Sequence, residues 1–409
     1  MARAVFVVGA ARTDFKRNLR KEGRGLGDVI VEAGRAALAD AGVPASAVEA
    51  GLVGNFAAGQ YVGQLHLGAL LLDIDPALVG IPTAHVEAAC ASGGLAVAGA
   101  AEAIAAGIHD VVLVVGAEQQ KTMAPADGAE VLATAADKAV ERPLFGDHMM
   151  PRMFATIADR YAALHGLDDR QLSLIAAKNH AHAALNPRAQ TRDGGLTLAR
   201  ALSADESNPR FAPPLKVSDC SQISDGAAAL VLAATPQAGR AAIRLLGHGR
   251  ATDRLRLADK DVPAFPVARR AAERAYRLAG IGPHDLDCAE VHDCFSITEL
   301  VTYELLGWAG AGEAGRLVES GATMLPQVRT DLVGTSPPRF SLPVNTGGGL
   351  IGDGHPVGAT GVRQVVEIFD QLVGRAGQRQ VDGARRALSF NLGGTFTTSV
   401  AMVWERAGR

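Results

Sequence analysis

Aromatic residues and cysteines are scarce in this chain of 409 residues. Phe, Trp and Tyr make up 4% of the sequence although 48% of it is hydrophobic, so the core has to be built from closely packed Ala, Val, Leu and Ile. That apolar content excludes a disordered chain. The cysteines are too few and too scattered for a disulfide framework, and we expect free thiols in a reducing compartment. They are Cys90, Cys220, Cys288 and Cys294.

Long apolar runs and an excess of charge are also missing. Runs such as Val5–Val8 and Val111–Val115 fall far short of the roughly 20 residues that a membrane helix needs. The first residues show no pattern of a secretory signal, so a cytoplasmic protein is expected. Lys and Arg number 40 against 43 Asp and Glu, a net charge of −3. This balance does not favour nucleic acid or an anionic membrane as a partner.

The chain contains an internal repeat. Ala4–Arg12 returns 238 residues later as Ala242–Arg250, in each case an aliphatic strand that runs into a glycine-containing loop. At the same offset Ala41-Gly42-Val43 corresponds to Ala279-Gly280-Ile281, which predicts a helix ended by glycine and followed by a strand. The two halves are therefore expected to share one fold.

The repeat continues with a drifting register. Cys90–Gly107 and Val111–Gly116 read as a glycine-rich turn, an alanine-rich helix and a strand, and His355–Val373 and Leu388–Gly393 repeat this order. The alternation predicts an α/β fold with mostly parallel strands covered by helices, in two sheets related by a pseudo-two-fold axis.

A segment without a repeat partner separates the halves. It is richer in His, Met, Arg and Pro, and it contains predicted helices at Met153–His165 and Asp169–Ala184. Segments of this size usually have a function in compact folds, so we interpret it as an inserted loop domain. The predicted boundaries are 1–118 plus 216–240 for the N-terminal half, 119–215 for the loop domain and 241–409 for the C-terminal half.

Cys90 is a candidate nucleophile. It lies among small residues in Ala88-Ala89-Cys90-Ala91-Ser92-Gly93-Gly94, directly before a predicted helix. The N–H groups and positive dipole end of a helix N-terminus favour a thiolate, so we expect a lowered pKa. A small buried packing cysteine is the alternative, but the small neighbours leave room for an acyl group.

His355 is the candidate base for this thiol. It lies in a glycine-rich loop, Gly347–Gly361, before the helix that corresponds to the Cys90 helix in the repeat. Pseudo-symmetry is expected to bring the two helix starts together, and a Cys–His pair assembled from separate loops is a familiar way to activate a thiol. The phosphate-binding and dinucleotide-binding glycine patterns are absent, which disfavours nucleotide chemistry.

Two further clusters follow predicted strands. Glu290–Ser296 places His292 and Cys294 two residues apart, but the additional ligands of a tetrahedral zinc site are missing, so we expect no metal. Neighbours on an extended segment point to opposite faces, so Asp293 should face away from whatever Cys294 faces. Ser389–Thr395 is a strand that enters a glycine turn, which could bind an oxyanion or simply connect two strands.

Together these clusters resemble the thiolase family over essentially the whole chain. The pair His-Asp-Cys-Phe at 292–295 and Asn-Leu-Gly-Gly at 391–394 is similar to the sterol-carrier-protein-type thiolases and their bacterial and archaeal relatives. Other thiolases carry Asn-Glu-Ala-Phe and Cys-x-Gly at these places. The resemblance implies a layered α-β-α-β-α core of two βαβαβ-type halves.

The resemblance also implies a reaction and its residues. Cys90 would attack a thioester or 3-ketoacyl-CoA, with His355 as its base, and the acyl-enzyme would pass to CoA or to an acetyl-CoA enolate. His355 and His292 would stabilise the thioester oxygen of the second substrate, and the N–H groups of Cys90 and Gly393 the oxyanion. Asn391 cannot titrate, so Cys294 would supply the second acid/base.

The implied partners are CoA thioesters, with no permanently bound cofactor. A homodimer or homotetramer, a possible small accessory subunit, and a place in lipid metabolism such as fatty acid β-oxidation follow from the same resemblance. A ketoacyl-synthase-like condensing enzyme and a non-catalytic binding protein of the same fold are the alternatives. The second thiol at Cys294 and the Gly354-His355-Pro356 loop favour a thiolase.

Overall fold

The computed structural model describes residues 3–408. Its strands are β1 Phe6–Arg12, β2 Ala50–Gly54, β3 Thr83–Val86, β4 Val111–Gln119, β5 Asp225–Ala233, β6 Ile243–Thr252, β7 Cys288–Val291, β8 Arg386–Gly393 and β9 Thr398–Arg406. Its α-helices are α1 Leu26–Ala41, α2 Ala58–Tyr61, α3 Ser92–Ala105, α4 Pro125–Leu132, α5 Lys138–Phe145, α6 Met149–His165, α7 Asp169–Ala184, α8 Leu198–Leu202, α9 Pro266–Ala279, α10 Ser296–Leu305, α11 Ala314–Glu319, α12 Pro326–Leu332, α13 Gly349–Asp353 and α14 Thr360–Val373. Within the described residues no helix combines the length and apolarity that a bilayer crossing requires.

The strands form a mixed sheet whose order is nearly a palindrome. It runs β3-β2-β4-β5-β1-β6-β9-β8-β7, so β1, β5, β4 and β2 of one half match β6, β9, β8 and β7 of the other. Helices α1 and α9 occupy matching places and each ends at a left-handed glycine, Gly42 with φ 62° and Gly280 with φ 69°. The predicted pseudo-two-fold repeat is confirmed.

The expectation of two separate, mostly parallel sheets is wrong on both points. Backbone pairing of Phe6 with Arg244 and of Val7 with Ile243 joins β1 to β6 and makes the sheet continuous. Most neighbouring strands are antiparallel, and only β2 with β3, β2 with β4 and β7 with β8 are parallel. One cause is the turn from β8 to β9, which is too short for the crossover that parallel strands require.

Three hydrophobic layers hold the structure together. Helix α1 packs on one face of the N-terminal strands, where Val29 and Ile30 belong to the same buried cluster as Leu113. Helices α3 and α14 fill the middle layer between the halves, and the C-terminal strands bury their other face against α9. The order α1, N-terminal strands, α3 with α14, C-terminal strands, α9 is the expected α-β-α-β-α layering.

The starts of α3 and α14 come together, as the repeat predicts. A Cβ at Gly361 would overlap the backbone nitrogen of Gly94 and the Asn391 side chain, and one at Gly93 would lie 2.6 Å from the Gly358 carbonyl oxygen. Only glycine permits this approach. The glycine excess therefore marks the place where the two halves meet.

The segment between β4 and β5 contains helices α4 to α8. Helix α7 has the predicted bounds, and α6 begins at Met149, a turn earlier than predicted. This helical content agrees with an inserted unit, although the boundary at 119–215 stays a prediction. Because α7 contacts α10 and α13, the segment lies over the C-terminal half close to the residues described next.

Candidate active site

Three connections, from both halves, bring the predicted site residues together. Cys90 lies just before α3, His292 and Cys294 lie between β7 and α10, and His355 lies between α13 and α14. The Cys90 sulfur and one ring nitrogen each of His292 and His355 lie within 4.8 Å of one another. A thiol and two imidazoles thus share one small volume at the start of α3.

The orientation of His355 is fixed by hydroxyl groups that the sequence motifs do not reveal. Its Nδ1 lies 2.7 Å from Thr360 Oγ1, and its backbone N–H donates to Ser224 Oγ at 2.8 Å. With Nδ1 engaged, Nε2 is the nitrogen that can accept a proton from a neighbouring thiol. The His292 ring stands nearly perpendicular to that of His355, at 84° with centroids 5.2 Å apart.

Asn391 ties the nucleophile loop to His292. Its Nδ2 lies 3.1 Å from the Cys90 carbonyl oxygen and 3.2 Å from His292 Nδ1. Its Oδ1 accepts a hydrogen bond from the Gly94 N–H at 3.1 Å. The amide is therefore fully engaged in holding other groups, which gives Asn391 a positioning task that its inability to titrate does not suggest.

Cys294 and Asp293 face different surroundings, as expected for neighbours on an extended segment. The Cys294 thiol is buried and lies 3.7 Å from Thr298 Oγ1. The Asp293 carboxylate accepts hydrogen bonds from the Leu350 N–H at 2.7 Å and the Ile351 N–H at 3.1 Å, at the start of α13. Asp293 thus anchors the glycine-rich loop.

The charge state of the thiol differs from the sequence-based expectation. Burial raises the pKa of Cys90 to about 12, and the backbone N–H of nearby Gly394 opposes the rise. The expected lowering of this pKa is wrong, because desolvation of the thiolate outweighs the donors at the helix start. Burial, with a smaller contribution from the Arg363 charge, lowers the pKa of His355 to about 3.

Burial shifts the pKa values of His292 and Cys294 in the same directions as those of His355 and Cys90. Burial and the neighbouring His355 hold the pKa of His292 well below its usual value. Burial also raises the pKa of Cys294 well above the ordinary thiol value. Burial therefore favours the neutral form of both thiols and both imidazoles in the site without substrate.

This resting state predicts how Cys90 responds to pH. Alkylation by a limiting amount of iodoacetamide is expected to accelerate about tenfold per pH unit from about pH 6 to pH 10, because a thiol whose pKa is raised gains thiolate throughout that range. Quenched digestion and mass spectrometry of the Cys90 peptide measure the rate. A plateau near pH 7 would instead indicate a preformed thiolate–imidazolium pair.

Glu118 is a site residue that the sequence analysis missed. Its buried carboxylate accepts hydrogen bonds at 2.9 Å from the Phe56 N–H, from Asn55 Nδ2 and from the Gly358 N–H beside His355. Burial raises the pKa of Glu118 to about 7. Its place at the end of the buried strand β4, before Gln119 and Gln120, was the available signal. Glu118 links both halves behind the thiol.

The same atoms could also coordinate a metal. A thiolate and two imidazoles are the donors that Zn²⁺ prefers, and they would leave a fourth position open. His292 lies in this cluster, whereas its predicted companion Cys294 is not one of the three donors. The same three groups equally suit a nucleophile with its base, the reading that the sequence favours.

A repeated α/β fold in which a thiol and two imidazoles meet at a helix start is the arrangement that a thiol-dependent acyltransferase requires. The description "Thiolase, N-terminal domain" matches residues 5–193 and "Thiolase C-terminal domain-like" matches residues 249–406, and the chain belongs to the thiolase family. It is a thiolase, a CoA-dependent acyltransferase.

Individual relatives agree over nearly the full length. The chain is 36% identical to the acetyl-CoA acetyltransferase of Methanothermobacter thermautotrophicus, with 99% of this chain and 100% of the relative covered. It is 34% identical to sterol carrier protein 2 of Gallus gallus, with 95% and 70% covered. The solved Ltp2-ChsH2(DUF35) aldolase has a TM-score of 0.79 at 22% identity over 98% of both chains, which supports the fold.

Proposed function

We propose that the protein catalyses CoA-dependent thiolysis of 3-ketoacyl-CoA, and the reverse Claisen condensation of an acyl-CoA with acetyl-CoA, through an acyl-enzyme on Cys90. The observation that carries this proposal is the cluster of the Cys90 sulfur with ring nitrogens of His292 and His355. Relatives that are named acetyl-CoA acetyltransferase support the substrate class.

In the acyl-transfer step His355 Nε2 takes the Cys90 proton while the sulfur attacks the thioester carbon. A bond forms between sulfur and the acyl carbon, and the bond to the CoA sulfur breaks. The proton on His355 then passes to the departing CoA thiolate. A neutral imidazole is needed for the first transfer, and the low pKa of His355 supplies one at neutral pH.

Backbone N–H groups and His292 carry the charge that develops on oxygen. The N–H groups of Cys90 and Gly393 are the proposed oxyanion donors for the acyl-enzyme step. A Cβ on Gly393 would lie 3.1 Å from the Ala91 nitrogen, so this glycine lies directly against the Cys90 loop, which supports a donor at this position. His292 and His355 would hold the thioester oxygen of the second substrate, with Asn391 fixing the His292 ring.

Cys294 is the proposed acid/base for the acetyl methyl group. It is buried, and burial first, followed by its closeness to Cys90, raises the Cys294 pKa. Asn391 is engaged by three partners and Asp293 by the start of α13, so neither is available for proton transfer. The presence of Cys90, His355 and Cys294 together disfavours both a ketoacyl-synthase-like enzyme and a non-catalytic binding protein.

Turnover against a ladder of 3-ketoacyl-CoA chain lengths tests this function. Thiolysis is expected with CoA as the acceptor, and the profile of kcat/KM identifies the acyl chain that the inserted segment accommodates. Detectable condensation of acetyl-CoA in the same preparation would establish the reverse reaction. Absence of thiolysis on every chain length, with folded protein, would contradict the proposal and its extension to fatty acid β-oxidation.

A homodimer or a dimer of dimers, in the cytoplasm, is part of the proposal. Strand β3 is an outer strand of the sheet, its Ala84 and His85 are exposed, and the chain runs from it directly into the Cys90 loop. An open strand edge is suited to pairing with a second copy. Light scattering is expected to show the dimer or tetramer, and a fully active monomer would refute it.

A small accessory subunit is a further possibility that the comparisons support. The name of the Ltp2-ChsH2(DUF35) aldolase includes a DUF35 component. Full activity of the purified chain alone would exclude the need for such a partner.

A further inference from the structure

The turn between β8 and β9 lies against the nucleophile loop. This β8–β9 turn, residues Gly394–Thr397, directly follows Gly393, and a Cβ on Gly393 would overlap the Ala88 carbonyl oxygen and lie 3.1 Å from the Ala91 nitrogen. Two of its residues have left-handed backbones, Gly394 with φ 59° and Phe396 with φ 61°. That conformation is costly for phenylalanine, so the surroundings must hold the turn in place.

A buried lysine holds this turn in place by hydrogen bonds. Lys260 is 6% exposed, and its ammonium donates to the Thr395 carbonyl oxygen at 2.5 Å, Thr395 Oγ1 at 3.0 Å and Thr397 Oγ1 at 2.8 Å. These contacts use all three of its N–H donors. Among residues 3–408 no carboxylate lies within ion-pair distance of Lys260. All hydrogen bonds of its ammonium are therefore made to this turn.

Hydrogen bonds connect this ammonium to the glycine that lies against the nucleophile loop. Thr397, held by Lys260 through its hydroxyl, donates its backbone N–H to the Gly393 carbonyl oxygen at 2.9 Å. That carbonyl belongs to the same peptide unit as the Gly394 N–H. Fixing and polarising one end of a peptide unit fixes and strengthens the donor at its other end.

Two other contacts hold the turn and the segment that carries Lys260 in place. The Phe396 ring stacks on the Phe265 ring, with centroids 4.0 Å apart and planes 11° apart. The short helical turn before Lys260 is fastened to α5, because the Leu257 N–H donates to Glu141 Oε1 at 2.7 Å. The segment carrying Lys260 is therefore anchored to the inserted segment.

We propose that Lys260 is a positioning residue for the acyl-transfer step, which holds the β8–β9 turn so that the backbone donors at Gly393 and Gly394 keep their place against the Cys90 loop. This inference rests on the proposed function of Cys90. It adds a residue from outside the four sequence clusters, and it explains why an ammonium without a carboxylate partner is buried here, at a cost in desolvation.

The test compares Lys260→Met with Lys260→Arg and with Lys21→Met, a control at an exposed lysine. Acylation of Cys90 by acetyl-CoA, and its alkylation by iodoacetamide, are expected to slow about tenfold in Lys260→Met, less than the roughly 10²–10³-fold that follows complete loss of an oxyanion donor. KM should stay near the wild-type value. Lys260→Arg, which keeps a charged donor, is expected to recover part of the rate, and Lys21→Met is expected to retain the wild-type rate.

Thr397→Val removes one acceptor of the chain and keeps Lys260, so it tests the inference even if Lys260→Met does not fold. Slower acylation at unchanged circular dichroism supports the proposal. Wild-type rates of acylation and alkylation in folded Lys260→Met or in Thr397→Val would overturn it. If wild-type Cys90 itself is never acylated, the proposed function fails instead, so the two failures are distinguishable.

Discussion

Replacing Cys90 with alanine is expected to abolish thiolysis and condensation, with kcat/KM reduced by about 10⁴-fold or more. Loss of a covalent nucleophile removes the acyl-enzyme route altogether, and reductions of this size are typical for such residues. The fold should survive, because Cys90 is surrounded by small residues and its helix is held by Asn391 and by the glycine contacts with α14. Steady-state thiolysis beside circular dichroism measures both effects.

Cys288→Ala is the matched control for this result. Cys288 is a buried thiol in β7, on the C-terminal strands, and its burial raises its pKa as it does for Cys90. It is expected to lose little activity, since it does not belong to the Cys90 cluster. Residual turnover of Cys90→Ala within tenfold of wild type would show that another group is the nucleophile.

Replacing Cys294 with alanine is expected to separate the two half-reactions. Formation of the acyl-enzyme from acetyl-CoA needs Cys90, His355 and the oxyanion donors, so it should continue at a similar rate. Condensation and thiolysis need a proton to move at the acetyl methyl group, and they should fall by about 10²–10⁴-fold, as positioned acid/base catalysis usually supplies. Mass spectrometry of the acyl-enzyme and steady-state thiolysis measure the two halves.

The Cys288→Ala variant again controls for loss of a buried thiol. If Cys294 only packs beside Thr298, both half-reactions of Cys294→Ala should decline modestly and together. Near-normal thiolysis in this variant would leave Cys294 without a catalytic role, and His292 or a bound water would become the candidate for the proton transfer.

Much of the fold was predictable because the sequence repeats itself. The shared strand, glycine-ended helix and glycine-rich helix start identified two equivalent halves, and their matching placed Cys90 and His355 at adjacent helix starts. The single, mainly antiparallel sheet was not predictable. Local sequence carries no information on which strand of one half pairs with which strand of the other, here β1 with β6. The contact of Phe6 with Arg244 depends on the packing of both halves.

The site was predictable in its composition and not in its electrostatics. The motifs named the thiols and imidazoles, but the helix start suggested a thiolate, whereas burial keeps Cys90 protonated. Burial is a property of the assembled core and not of the motif. Supporting residues such as Glu118, Thr360 and Lys260 lie far from the thiol in sequence, so only the folded chain shows that they act on the same site.

Mass mapping of the enzyme after brief incubation with acetyl-CoA, quenched in acid, tests the central claim most directly. The account predicts one acetyl group per chain, carried by the peptide that contains Cys90, lost on addition of CoA and absent from Cys90→Ala. An acetyl group on Cys294 or on another residue, or no acetyl group in a preparation that performs thiolysis, would contradict it.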